Sequence, residues 1–165
     1  YGAGSAFHGA FAVGMVRPGT MTESLPGDVR IRVPTDLVFV RPVRKMVEAL
    51  LAGQGWGEES VEDVGLVFTE ILQNAIEHGS RADGEEHVDV ACRVEAGSVA
   101  IEVTDPGSGK DPRDVLTRDV TRPVPPEEAR GRGLYLVHRM APGLQRALSS
   151  DGGCCIRVRI ERVAT

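Results

Sequence analysis

Residues 64–80 read VGLVFTEILQNAIEHGS. Val64, Val67, Phe68, Ile71, Leu72 and Ala75 recur at the spacing of one helical stripe, which predicts an amphipathic helix with that stripe in a core. Glu70 and Asn74 are four residues apart and share another side of the same helix. A carboxylate and a carboxamide stacked on one helix face can hold a divalent ion with a water or hydroxyl beside it. A solvated polar face has the same spacing and is the commoner outcome. The pair acquires meaning only from the rest of the chain.

Toward the N-terminus, Ser60 and Asp63 form a candidate capping pair for this helix, and Trp56-Gly57 leads into it. Gly53-Gln54-Gly55 closes a preceding helix over Leu37 to Leu51, carried by Val40, Val43, Val47, Leu50 and Leu51. Thr35 or Asp36 can cap that helix, while Pro42 either sits in its first turn or kinks it. Asp28 to Val33 alternates polar and apolar residues as a half-buried strand does, and Pro34 stops it. Residues 1–27 show no sustained period. They read as a flexible tail, part of it over residues 1–20 vector-derived or extended, with Met15 and Met21 as natural starts.

Toward the C-terminus, RADGEE is a turn. His87 to Val94 and Ser98 to Thr104 alternate around Glu95-Ala96-Gly97, the signature of a β-hairpin. Asp105 to Arg130 reads as one long loop. A helix over Gly133 to Met140 follows, with Leu134, Val137 and Leu136 toward the core, until Pro142-Gly143 breaks it. Leu144 to Leu148 and Cys154 to Val163 form a second hairpin around Asp151-Gly152-Gly153. The order strand–helix–helix–hairpin–loop–helix–hairpin predicts an α+β fold over residues 28–165. It would be a two-layer α/β sandwich, a mostly antiparallel sheet with helices on one face.

The totals set outer bounds. The 165 residues suit one domain with one core. The 24 acidic against 19 basic side chains give a net charge of −5, which with 4% aromatic content argues against a direct nucleic-acid surface. No apolar run approaches the roughly 20 residues that span a bilayer, and no signal peptide is evident. Cys92, Cys154 and Cys155 lack metal-ligand spacing, so reduced thiols in a cytoplasmic protein are expected.

Three stretches can carry chemistry. The first is Glu70 to Asn74. The second is Asp105-Pro106-Gly107-Ser108-Gly109, directly after a predicted strand. The third is Gly131-Arg132-Gly133-Leu134, where the long loop enters a helix. Glycines at a strand end let backbone approach a ligand, and a buried carboxylate there can accept from an exocyclic amine such as adenine's. Glycines at a helix start offer free N–H groups and the positive end of the dipole to phosphate, with Arg130 and Arg132 adding charge. Gly109-Lys110 resembles the end of a P-loop, but Thr104 stands where its first glycine belongs and Asp111 where Ser or Thr is needed.

Taken together, TEILQNAIEHG, DPGSG and GRGLYLV resemble the N, G1 and G2 boxes of the histidine-kinase-like (GHKL) ATPase superfamily. More narrowly the chain looks like the anti-sigma-factor serine/threonine kinase branch, with no phosphoacceptor helical hairpin ahead of the domain. The resemblance implies ATP and Mg2+ under a lid spanning Asp111 to Arg130. It makes Glu70 the general base and Asn74 the magnesium ligand. Asp105 would bind the adenine amine, Gly107 and Gly109 would shape its pocket, and Gly131, Gly133 and Leu134 would stand at the phosphates. His78 matches a family position and is assigned only loosely to the nucleotide site. Arg130 and Arg132 are both candidates for the arginine at the γ-phosphate. Lys110 departs from the aromatic or apolar residue of many members. Implied partners are a sigma factor and a STAS-type anti-sigma-factor antagonist, and a homodimer is expected. Two other readings compete: a non-catalytic module that switches partners by nucleotide state, and an ATPase driving dimer motion, for which no transducer domain is seen.

Overall fold

The apolar stripe of residues 64–80 is buried. Val64, Val67, Phe68, Ile71 and Leu72 are all 0% exposed, at the centre of the core. The computed structural model describes residues 28–80, 85–108, 111, 113–123 and 132–162. The tail over residues 1–27, most of the RADGEE turn, Gly109, Lys110, Arg130, Gly131 and Val163 lie outside the described residues.

The helix carrying the stripe is α2, Glu58–Gly79. It begins earlier than the capping pair suggested. Its N-cap is Gly57, extended and without a side-chain bond, so Ser60 and Asp63 lie inside the first turns. Glu58 and Glu59 supply negative charge at the positive end of the helix instead. Ahead of it runs α1, Val40–Gly53, preceded by a 3-10 turn over Leu37–Phe39. Asp36 caps that turn, its Oδ1 accepting from the Val38 N–H at 2.9 Å. Pro42 sits in the first turn of α1, where its missing N–H costs nothing. The two helices form a hairpin closed by Gly55, at φ +75, and by the Trp56 N–H donating to Leu51 O.

Five strands form one sheet in the order β1-β2-β3-β5-β4: β1 Asp28–Pro34, β2 His87–Val94, β3 Ser98–Thr104, β4 Gln145–Leu148 and β5 Cys154–Glu161. All four pairings are antiparallel. Register puts Ile31, Val90, Val103 and Ile156 in one row and Val29, Cys92, Ile101 and Val158 in the next. Those rows face α1 and α2. Alternation sends the neighbouring residues to the other side, where Arg32 meets Asp89 at 3.2 Å and Arg159 meets Glu95 and Glu161 at 2.8 and 3.0 Å. Such exposed pairs stabilise little, but they keep that face wet. The fold is α+β, with helices on one side, as the element order required.

The stretch after β3 is not a plain loop. It holds a short helix α3, Arg113–Thr117, and Val120 is 7% exposed. Arg146 of β4 donates to Val115 O. Val115 and Leu116 pack on the core as well, so this part of the expected lid is fastened along the β4 edge. Scattered apolar residues in a polar stretch hid that anchoring from a periodicity reading. α4, Arg132–Met140, buries Leu134 and Val137, while Leu136 stays half-buried. Cys92, Cys154 and Cys155 are thiols and none is in a disulfide.

Candidate functional site

Two clusters meet along α2. In the first, the side of α2 that carries Glu70 and Asn74 lies against the first turn of α4. A Cβ added at Gly133 would overlap the Glu70 carboxylate and sit 3.4 Å from Asn74 Nδ2. Glycine lets the Glu70 carboxylate end lie against this backbone, and any Cβ there would force that end to shift. Among the described residues the Asn74 Nδ2 is buried and has no hydrogen-bond partner. Orphaned buried polar atoms are rare because each costs the full desolvation of the group, so this N–H donor calls for an acceptor oxygen from a ligand, which leaves Asn74 Oδ1 as the atom able to face a cation.

In the second cluster, Asp105 follows the last residue of β3 and is 8% exposed. Its backbone N–H donates to Cys154 O at 3.0 Å, which fixes the strand end against β5. Its Oδ1 accepts from the N–H groups of Gly107 and Cys154, both at 3.0 Å. Among the described residues no donor reaches Oδ2. Burial pushes this carboxyl up to about 6, against the lowering pull of the two backbone N–H groups. The neighbouring Cys154 thiol is pushed up to about 12, first by burial and then by the Asp105 charge, and is no nucleophile.

Glycines pack this carboxylate from three directions. Gly107, at φ +84, needs the left-handed conformation, and a Cβ there would lie 3.1 Å from Gly152 C and Gly153 N. Gly153 has no room for a Cβ against Asp105, and at Gly79 a Cβ would collide with the Asp105 carboxyl carbon. Gly79→Ala is therefore expected to destabilise the fold by about 1–3 kcal/mol in urea denaturation, although alanine favours a helix by up to about 1 kcal/mol. A neutral or stabilising result would show that Asp105 can move aside.

The sequence reading named Gly107 but not Gly79 or Gly153. Gly79 reads as a helix stop and Gly152-Gly153 as a hairpin turn, and both contacts with Asp105 are made by chain folding back from afar. The other expected residues fall as follows. His78 lies one turn beyond Asn74 on the same side of α2, half exposed, its Nε2 4.0 Å from the Glu77 carboxylate. Arg132 opens α4 and is exposed, while Leu134 is 6% exposed and packs in the core. Gly109, Arg130 and Gly131 lie outside the described residues. A hollow of about 130 Å3 lined by Ser60, Asp63, Val67, Met140, Ile160 and Glu161 lies at the other end of α2 and shares no residue with either cluster.

The donor set fits a nucleotide with a divalent cation. Among the described residues no group of three His, Cys, Asp or Glu side chains could hold a metal by itself. A cation at Asn74 must therefore bring further oxygen ligands with it, as a chelated polyphosphate does. A buried carboxylate with one free oxygen suits an exocyclic amine.

The fold defines a two-layer α+β domain with both clusters along one helix. The family model described as "Histidine kinase-like ATPase domain" matches residues 33–160, and the chain belongs to that family. Membership implies an ATP site. Among solved structures, the chain is similar to the RsbU and RsbW domains of Rv1364c from Mycobacterium tuberculosis. The TM-score is 0.58 at 18% identity, over 83% of this chain and 33% of that one. It is also similar to a chain of the SiaB-SiaC complex from Pseudomonas aeruginosa. There the TM-score is 0.59 at 17% identity, over 81% of this chain and 89% of that one. The present chain thus spans about a third of the Rv1364c chain. At such identities the likeness is one of fold. No curated protein matches the sequence. Among the described residues no helix is long and apolar enough to cross a membrane.

Proposed function

We propose that this chain is an ATP-dependent serine/threonine protein kinase of the anti-sigma-factor type, acting in the cytoplasm as a homodimer. Its substrate would be a STAS-type antagonist protein, and in its other state it would sequester a sigma factor. The observation that carries the reading is the Glu70 carboxylate beside the unpartnered Asn74 amide at the glycine start of α4. The two solved relatives support the partner class, since one has an RsbW domain joined to RsbU and the other is complexed with SiaC.

In this reading Asp105 Oδ2 accepts the adenine amine while Gly107 lets backbone approach the base. Asn74 Oδ1 would hold Mg2+, and that ion would supply neutralisation of the phosphate charge. Gly133 and the first turn of α4 offer N–H groups to the phosphates, and Arg130 or Arg132 adds positive charge. Glu70 takes the proton from the partner's Ser or Thr hydroxyl as its oxygen bonds to the γ-phosphorus, and ADP leaves. His78, exposed one turn away, is placed at the rim.

Incubating the chain with γ-labelled ATP, Mg2+ and STAS-type domains from the source genome should yield phosphoserine or phosphothreonine on one of them. If ATP binds tightly and no domain is ever labelled, transfer is not the function. The non-catalytic switch then stands, because the orphaned amide and the buried carboxylate serve nucleotide binding equally well.

A further inference from the structure

The edge strand β4 turns an arginine toward the helices. Its register pairs Arg146 with Ile156 and Leu148 with Cys154. Ile156 and Cys154 are 4% exposed in the core, so alternation puts Arg146 on the same inner side. An aliphatic side chain suits such a position, and a half-buried guanidinium costs desolvation that a well-made hydrogen bond must offset. Among the described residues its partner is one carbonyl, Val115 O of α3, 31 residues earlier in the chain. Burial lowers its pKa from the usual arginine value, and the other groups near enough to act on it are Cys154, Arg118 and Asp119. It stays charged.

The carbonyl it takes is one that the short helix leaves over. α3 has five residues, too few to stand alone, and the carbonyls of its last turn lack a partner inside the helix. Asp111 closes the other end, its Oδ1 accepting from the Arg113 N–H at 3.0 Å and its Oδ2 from the Arg113 Nε–H at 2.6 Å. Val115 and Leu116 rest on the core, and Val120 is buried beyond them. Asp119 then turns the chain by accepting from the Thr121 N–H and hydroxyl at 2.9 and 2.6 Å. Its carboxyl is held below the usual carboxylate range, first by Thr121 and further by Arg122 and by His138 of α4. Residues 113–121 therefore run from the β4 edge toward the flank of α4.

This course brings α3 beside the Asp105 pocket. Arg146 is two residues along β4 from Leu148, about 7 Å, and Leu148 lies one strand spacing, about 4.8 Å, from Cys154. The Cys154 N–H is one of the two donors that hold Asp105 Oδ1. α2 closes the pocket through Gly79, and α3 stands on the side of β4. We propose that Arg146 is a positioning residue of the nucleotide site. Its grip on Val115 O keeps α3 in place as the β4-side wall of the Asp105 pocket, and so sets how long a nucleotide stays bound. This rests on the ATP site of the function proposed above and not on phosphoryl transfer. A wall that loosens changes release more than capture.

The test uses the full chain, unaltered and as Arg146→Met and Arg146→Lys. Release is read by chasing a fluorescent ATP analogue with unlabelled ATP in Mg2+, and fastening by hydrogen exchange over residues 113–121. Arg146→Met keeps the stem and removes the donor. The nucleotide should then leave at least about fivefold faster while its association rate stays within about twofold. Exchange over 113–121 without nucleotide should rise at least about tenfold. Arg146→Lys, which keeps a charged donor, should fall between the two. In the unaltered chain ATP should slow exchange over 113–121, and no slowing there overturns the proposal whatever the variants do. Faster exchange with unchanged release in Arg146→Met makes Arg146 a structural tie alone and overturns it too. So does aggregation with unchanged release, which makes Arg146 an inward charge guarding the sheet edge. A chain that binds no ATP takes the nucleotide reading down with this proposal. Release that follows Arg146 in a chain that labels no partner keeps the proposal and sinks the kinase reading alone.

Discussion

Replacing Glu70 by glutamine is expected to lower phosphoryl transfer to the partner by about 10²–10⁴-fold, while ATP affinity changes less than about threefold. The substitution keeps side-chain shape, so the close approach of Gly133 survives. What it removes is the ability to take a proton. A neutral hydroxyl then has to attack without a base in place, and the loss appears in the rate and not in binding. Because phosphoryl transfer depends chiefly on positioning and charge, some rate should remain. Single-turnover labelling, with ATP binding measured separately, distinguishes the two quantities. A variant that still labels its partner at the wild-type rate would remove Glu70 from the chemistry. Loss of ATP binding with loss of labelling would show that Glu70 shapes the nucleotide site instead.

Asp105→Asn should move stability and binding in opposite directions. The folded chain holds the Asp105 proton up to about pH 6, whereas the unfolded chain releases it near 3.8. Between those values the folded state binds more protons, so stability falls as pH rises through the window and the whole cost is present at pH 7. A shift of that size corresponds to up to about 3 kcal/mol. Asparagine keeps an oxygen to accept from the Gly107 and Cys154 N–H groups and has no charge to desolvate. The variant lacking nucleotide should therefore be more stable at pH 7.5 by up to about 3 kcal/mol, with a smaller gain at pH 5. Urea titrations at both pH values measure it. Equal or lower stability at pH 7.5 would show that the carboxylate is not held at a cost.

Nucleotide binding should respond the other way. If the ionised carboxylate accepts the adenine amine, ATP affinity of the unmodified chain falls about tenfold per pH unit below about 6. The asparagine variant should bind weakly at neutral pH, and the part of the pH slope due to Asp105 should be missing from it. Stability gained by neutralising a buried acid, at the expense of ligand affinity, is the usual mark of a group kept for function.

Much of the fold was legible because its elements repeat locally. The stripe from Val64 to Ala75 marked α2, and the alternating runs around Glu95-Ala96-Gly97 marked β2 and β3. Two misreadings share one cause. Ser60 and Asp63 looked like caps because capping is a short pattern, yet α2 already begins at Glu58, after the extended Gly57, with Glu58 and Glu59 in its first turn. Residues 105–130 looked like unbroken loop because Val115, Leu116 and Val120 have no period of their own. Their burial depends on the β4 edge, which lies some thirty residues further along.

By itself the sequence determined which side chains share a helix face, where the backbone must turn, and that an α+β sheet with one covered face would result. Those follow from residue spacing and from glycine and proline conformation, which are properties of neighbours in the chain. Only the tertiary structure decided that Gly133 presses on Glu70, that Asn74 is left with an unpaired buried atom, and that Gly79 and Gly153 wall in Asp105. Close packing between segments 26 to 63 residues apart makes those contacts, and desolvation then raises the Asp105 carboxyl. The pair on α2 is thus a solvated face by its spacing and a half-buried corner against α4 by its surroundings.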